Sequence, residues 1–254
     1  MSDHVTIEDQ PGGVRLIRLT RPEKKNALTG AMYDAMKASL EQADESGEVG
    51  AIVFAGVPGM FTAGNDIGDF VAGAQKPFTE APALHFIRQL ARTTTPMVAA
   101  VDGIAVGIGT TLTLHCDLVY ANPAARFRMP FVELGLVPEA ASSYLLPRRV
   151  GLLKATELLL LSEPFDADEA LRLGLLNAVI PSEMLVEHAL AKAAALAALP
   201  RGSLKASRAL IRGDQADVAA ALEAEAVAFE ARLRAPEAQA AFMNFLLKSK
   251  PSRS

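Results

Sequence analysis

Three short runs in this chain are apolar without alternation: Ala51–Ala55, Met97–Val101 and Leu118–Ala121. A strand with one face in water alternates apolar and polar residues, so uniform apolarity marks strands covered on both faces. Segments of helical periodicity lie between these runs, which predicts an α/β arrangement around a largely buried sheet. The N-terminal segment reads differently. Val5 to Ile7 alternates, Pro11-Gly12-Gly13 turns, and Val14 to Leu19 alternates again, which predicts a hairpin stopped by Pro22. Thr29 is placed to N-cap a helix that carries Tyr33, Met36, Leu40 and Ala43 on one face and ends near Gly47.

After Gly151 the texture changes to Ala- and Leu-rich helical periodicity, broken near Pro164, Gly174, Pro181, Pro200, Gly213 and Pro236. The expected organisation is a core over residues 1–195 and a helical region over 196–254. No low-complexity linker divides them, so the two pack together or against a partner subunit. Leu222, Ala226 and Phe229 form an apolar face that needs such a partner, and periodicity alone leaves open whether it lies within the chain.

Composition removes several classes of function. Half of the 254 residues are apolar and the formal net charge is −4, so no general attraction to nucleic acid or to anionic membranes is expected. Cys116 is the one cysteine, which excludes an intrachain disulfide and suits a reducing compartment. The first residues lack the basic and apolar regions of a secretion signal, and no uncharged apolar run approaches the ~18 residues of a membrane span. The expected location is the cytoplasm. The four histidines are scattered, Cys116 has no partner cysteine, and no metal site is expected. The motifs G-x-x-x-x-G-K-[ST], G-x-S-x-G and H-E-x-x-H are absent, and Gly107-Ile108-Gly109 lacks the third glycine of a dinucleotide fingerprint.

Two glycine-bearing segments follow expected strands. Phe61 to Ile67 lies downstream of the Ala51–Ala55 run, and Asp102 to Thr111 directly follows Met97–Val101. Both can present backbone N–H groups to a ligand where the chain enters a helix. Both also fit plain turn chemistry, with Asp66 as an N-cap and Asp69 at N3.

The order of these segments resembles the crotonase (enoyl-CoA hydratase/isomerase) family over nearly the whole chain. The resemblance starts at Leu19 to Leu28, continues through the two loops, Cys116-Asp117-Leu118 and Gly135 to Glu139, and closes at Asn244 to Pro251. It implies a ClpP/crotonase-like spiral of ββα units, a C-terminal helical trimerisation region, and assembly into trimers or hexamers. It also implies an acyl-CoA substrate, with coenzyme A arriving as part of it and no separate cofactor. By position, the N–H groups of Asn65 and Ile108 would form the oxyanion hole, and Ala63, Gly64, Asp66, Ile67, Gly107, Gly109, Thr111 and Phe131 would contact the substrate or its CoA. Lys24, Lys25 and Ala27 fall where family members meet CoA, and Phe245 and Lys248 resemble C-terminal residues that reach it.

The catalytic carboxylates decide the reaction. The two glutamates that hydratases of this family use correspond to Thr111 and Phe131 here, and neither titrates near neutral pH. Glu139 remains, and the run from Pro138 to Arg148 resembles the peroxisomal-type 3-enoyl to 2-enoyl-CoA isomerases, which use one carboxylate. Partial burial, with Phe131 and Leu136 as its apolar walls, would raise the pKa of such a base. On local sequence alone, Pro138-Glu139 also reads as the first turn of a helix, with the carboxylate complementing the dipole. Glu133 and His85 are weaker candidates, His85 as a residue lining the acyl pocket. Ser142 and Ser143 show no neighbouring base for nucleophilic work. An isomerase is therefore expected. A hydratase-like lyase or an acyl-CoA hydrolase using Glu139, and a non-catalytic acyl-CoA-binding protein, stay open.

Overall fold

The computed structural model describes residues 2–69 and 77–248, with the side chains of 245–248 left out of the description. Chain order gives β1 (Val5–Gln10), β2 (Val14–Leu19), α1 (Gly30–Ser46), β3 (Ala51–Ala55), β4 (Met60–Thr62) and α2 (Pro82–Arg92). Then come β5 (Met97–Val101), β6 (Ile104–Val106), α3 (Ile108–Thr111), β7 (Leu118–Ala121), β8 (Arg126–Arg128) and α4 (Ser142–Val150). The C-terminal part holds α5 (Leu152–Thr156), β9 (Phe165–Asp166), α6 (Ala167–Arg172), β10 (Ala178–Val179) and α7 (Ser182–Ala197). It ends in α8 (Arg201–Arg212), α9 (Gln215–Leu233) and α10 (Pro236–Lys248).

The strands form two sheets. One runs β1-β2-β3-β5-β7-β10, antiparallel at β1-β2 and parallel beyond; the other runs β4-β6-β8-β9. The first pass puts both β1 and β2 in the first sheet before α1; each of the next three lays a strand in the first sheet (β3, β5, β7), a short strand in the second (β4, β6, β8), and then a helix. The result is the spiral of ββα units expected above.

The uniform apolarity of β3, β5 and β7 now has its cause. Alternate residues point to opposite faces of a strand. Ile52, Phe54, Met97, Ala99 and Val101 enter the main core with α1 and α2, whereas Ala51, Val53, Ala55, Val98 and Ala100 face Leu185, Ala189 and Ala193 of α7. Small residues on the second face let α7 lie close. A Cβ on Gly50 would stand 2.6 Å from the Cβ of Ala197, so only glycine fits where the chain enters β3.

The first helix forms as its sequence predicts. Thr29 accepts a hydrogen bond from the Met32 N–H at 3.4 Å, the face of Tyr33, Met36, Leu40 and Ala43 is buried, and Gly47 ends the helix in a left-handed conformation. The partner of the Leu222, Ala226 and Phe229 face lies within the chain: all three are buried in the main core, with α9 packed against α2 and α4. One local reading is corrected. Pro138-Glu139 does not open a helix, because Ala140 and Ala141 both take left-handed conformations and α4 starts only at Ser142.

Between β2 and α1 the chain is tied down by one side chain. Asn26 is fully buried in a left-handed conformation (φ 52°), its Oδ1 accepts the Arg21 N–H at 2.7 Å, and its Nδ2 donates to the carbonyls of Met60 and Phe61 at 3.0 Å each. These bonds fasten the lysine-bearing loop to β4. Asn26→Ala leaves buried backbone groups unpaired and is expected to cost roughly 2–4 kcal/mol, read as a lower urea midpoint with unchanged slope.

Candidate active site

The second sheet puts the two glycine loops side by side. β4 and β6 pair in parallel, so the chain leaving β4 at Ala63-Gly64-Asn65 runs beside the chain leaving β6 at Gly107-Ile108. Contact is direct: Gly64 has φ +88°, and a Cβ there would come within 2.7 Å of the Val106 carbonyl oxygen. Any other residue would push the loops apart. Leu28 holds the first loop from its other side, donating to Gly64 O at 2.8 Å and accepting from the Asp66 N–H at 2.9 Å. Asp66 caps the turn by accepting the Asp69 N–H at 3.0 Å and pairs with Arg21 at 2.7 Å.

In the second loop, Thr110 and Thr111 donate their N–H groups back to Gly107 O, and the Thr110 hydroxyl donates to Ala105 O at 2.6 Å. Among the described residues, the N–H groups of Asn65 and Ile108 have no hydrogen-bond partner. Unpaired amides at the start of a helix and on a tight loop attract a developing negative charge.

Beside them opens a cleft of about 170 Å³ lined by Ala63, Gly64, Asn65, Ile67, Val106 and Gly107 on one side and by Phe131, Leu136, Phe229 and Phe242 on the other. Its charged residues are Arg128 and Glu133, which form an ion pair with each other. Glu133 is thus an exposed, paired carboxylate. Gly109 packs under the loop against Thr62 and does not line the cleft. Thr111 is fully buried, its hydroxyl has no partner among the described residues, and it also stands outside the lining.

Glu139 occupies a different pocket. It is 6% exposed and lines a cavity of about 10 Å³, room for one water, with Phe78, Leu84, Ile87, Leu222, Ala226 and Phe229 around it. Its apolar walls therefore come from α2 and α9, not from Phe131 and Leu136. Phe229 lines both spaces. The Oε1 atom has no partner among the described residues. Burial first, and the Glu225 carboxylate second, push its pKa from 4.5 up to about 8.

Tyr33 bonds to the first loop and feels Glu139. Its buried hydroxyl donates to Asn65 Oδ1 at 2.5 Å, and its pKa is pushed well up by burial and then by the nearby charge of Glu139. Sequence periodicity placed Tyr33 on the core face of α1 and gave no sign of this bond.

The remaining candidates fall around the site. Lys24 and Lys25 are exposed on the Asn26 loop and form no ion pair among the described residues. Ala27 is half-buried there, its carbonyl accepting from Arg21 at 3.0 Å. His85 is half-buried with Nε2 on the Thr79 carbonyl at 2.9 Å, and it lines neither space. Phe245 and Lys248 lie in α10 with side chains outside the described residues, and Ser249, Lys250 and Pro251 lie outside them altogether.

Two apposed loops with free amides, an apolar cleft and one buried carboxylate can polarise a carbonyl and move a proton beside it. Residues 9–253 match the family model described as enoyl-CoA hydratase/isomerase. The chain belongs to that family. It is 34% identical over 243 residues to enoyl-CoA delta isomerase 2 of Rattus norvegicus, covering 93% of this chain and 62% of that longer protein. It is also 34% identical to a probable enoyl-CoA hydratase of Rhizobium meliloti (strain 1021), covering 98% of each. A solved enoyl-CoA hydratase/isomerase from Pseudoalteromonas atlantica T6c superposes with a TM-score of 0.91 at 37% identity, covering 99% of this chain and 100% of that one. The fold is the crotonase fold, and the chain is an enzyme of the enoyl-CoA hydratase/isomerase family.

In this family member, the buried acid leaves a signature in stability. Between pH 4.5 and about 8 the folded chain keeps a proton on Glu139 that the unfolded chain releases. Stability therefore falls as pH rises across that window and levels off above it. Glu139→Gln removes this dependence. Its melting temperature is expected to match the wild type near pH 5 and to exceed it increasingly toward pH 8 in calorimetric scans.

Proposed function

We propose that the chain is an enoyl-CoA isomerase that moves a double bond from C3 to C2, with Glu139 as the proton shuttle. The observation that carries this reading is Glu139 itself: a buried carboxyl whose Oε1 has no partner among the described residues, in a cavity that shares Phe229 with the cleft of the two amides. The thioester carbonyl binds at the N–H groups of Asn65 and Ile108. Glu139, ionised, removes a proton from C2, and the electron pair moves into the carbonyl to give a dienolate whose oxygen the two amides hold. Glu139 then returns the proton at C4, the C2=C3 bond forms, and the carbonyl reforms. Each amide is worth ~3 kcal/mol of transition-state stabilisation. Thr111 and Phe131 supply no second acid for adding water.

Lys24 and Lys25 are the proposed contacts for the CoA phosphates, since exposed lysines without an acidic partner among the described residues suit mobile phosphate oxygens, and Lys248 is added to them by its place in the family pattern. The substrate brings its own CoA and no further cofactor is needed. A homotrimer or hexamer is part of the same proposal, supported by Leu210 and Ile211 of α8, each 85% exposed. A cytoplasmic setting suits the single free, buried thiol of Cys116. The relative named as a probable hydratase favours a second reading, a lyase that uses the same Glu139.

Incubation with 3-enoyl-, 2-enoyl- and 3-hydroxyacyl-CoA separates the readings, because an isomerase converts the first without net hydration. In heavy water the wild type should wash label into C2 or C4, and Glu139→Gln should lose ~10²–10⁴ of its rate and the label with it. The wild-type kcat/KM should rise with pH through about 8, since the base works only when ionised. A Glu139→Gln variant that isomerises at the wild-type rate sinks the proposal.

Backbone chemistry at the first loop gives a separate check. Asn65→Ala keeps the N–H and should retain most of kcat, while losing stability because the Tyr33 hydroxyl loses its acceptor. Asn65→Pro lacks the N–H and should abolish turnover. Steady-state kinetics on both folded variants decides the point.

A further inference from the structure

Two alanines in succession hold left-handed conformations between Glu139 and α4, at φ 59° for Ala140 and 54° for Ala141. Each such residue costs roughly 1–2 kcal/mol, and a consecutive pair persists only where its surroundings over-determine it. The surroundings are specific. Glu225 of α9 accepts the Ala141 N–H on Oε2 at 2.6 Å, and on Oε1 it accepts the Ser143 N–H at 2.8 Å and the Ser143 hydroxyl at 2.5 Å. From the other side His115 donates its Nε2–H to the Ala140 carbonyl at 2.8 Å. The Ser142 N–H closes the turn on Glu139 O at 3.0 Å.

We infer that Glu225 is a positioning residue for Glu139: its carboxylate clamps the Ala140–Ser143 backbone and so fixes where the Glu139 carboxyl stands relative to the amides of Asn65 and Ile108. This rests on the reading of Glu139 as the base. Capping alone does not account for the residue. A hydroxyl or amide side chain caps a helix without a buried charge, yet Glu225 is 8% exposed and lines the same small cavity as Glu139.

The two carboxyls are unequal. Burial raises the pKa of Glu225 as well, but three donors oppose it there and none does so for Glu139 among the described residues, so Glu225 is the better place for the charge and Glu139 for the proton. The groups that face Glu139 are Glu225 from α9, Tyr33 from α1 and His115 behind the Ala140 carbonyl. Burial lowers the His115 pKa to about 4, so it is neutral here, and α2 contributes only Leu84 and Ile87. Burial first, and Glu225 as the negative neighbour second, keep Glu139 protonated before substrate arrives.

Glu225→Gln tests this. It keeps one acceptor oxygen, loses the charge, and turns an amide N–H₂ toward a backbone donor. Per folded enzyme, kcat should fall at least about tenfold with KM changed less than about threefold. The titration midpoint of the Glu139 carboxyl should drop below that of the wild type. Carbon-13 NMR of the substrate-free protein reads that midpoint, with the resonance assigned by its absence in Glu139→Gln. A plain structural cap would lower the melting temperature and leave kcat per folded enzyme and the midpoint in place. Either of these unchanged in folded Glu225→Gln overturns the inference. If that variant does not fold, Ser143→Ala removes one donor and spares the amides. It should lower kcat by about threefold or more at constant KM, and an unchanged kcat overturns the inference. The two readings fail separately: a fully active Glu139→Gln removes the base, whereas an inactive Glu139→Gln beside a wild-type Glu225→Gln removes only the clamp.

Discussion

The approach of Gly64 to the Val106 carbonyl governs much of this molecule, because it is where two separate passes of the spiral meet. Parallel pairing of β4 with β6 brings the loops together, and the missing side chain at Gly64 lets them touch. Everything that fixes those strands serves that contact: Asn26 bonded to Met60 and Phe61, Leu28 bonded on both sides of Asn65, and Thr110 locked to Ala105. Backbone amides held this way need no reorganisation when charge develops on a bound oxygen, which is the source of their strength.

The carboxylates show a second kind of constraint. Glu139 is kept neutral by burial and by a charged neighbour, and that neighbour is kept charged by three donors. Environments that push two like groups apart in pKa divide them into different roles. Here the division comes from backbone geometry, since the left-handed pair at Ala140 and Ala141 turns the amides of Ala141 and Ser143 toward Glu225 and leaves Glu139 without any.

Much of the architecture was legible in the chain. Strands with apolar residues on both faces announce themselves by composition, and the hairpin and α1 were readable from turn residues, an N-cap and a 3.6-residue period. The pair of glycine loops was visible too. Glu139, by contrast, looked like a helix-start residue, because nothing in Pro138-Glu139-Ala140-Ala141 marks two alanines as left-handed. Glu225 leaves a faint signal in the sequence: it falls on the apolar stripe of Leu222, Ala226 and Phe229, where a carboxylate is out of place.

The sequence by itself determined which segments become strands and helices, and which loops carry glycine where backbones must come close. Those properties are local, set by side-chain size, φ preference and the alternation of faces. Only the tertiary structure decided that Tyr33 reaches Asn65, that Phe229 lines both the cleft and the Glu139 cavity, and that a glutamate 86 residues downstream of Glu139 binds the amides of Ala141 and Ser143. Such contacts join residues distant in the chain, and their strength depends on burial and on which donors face which acceptors. No periodicity records that.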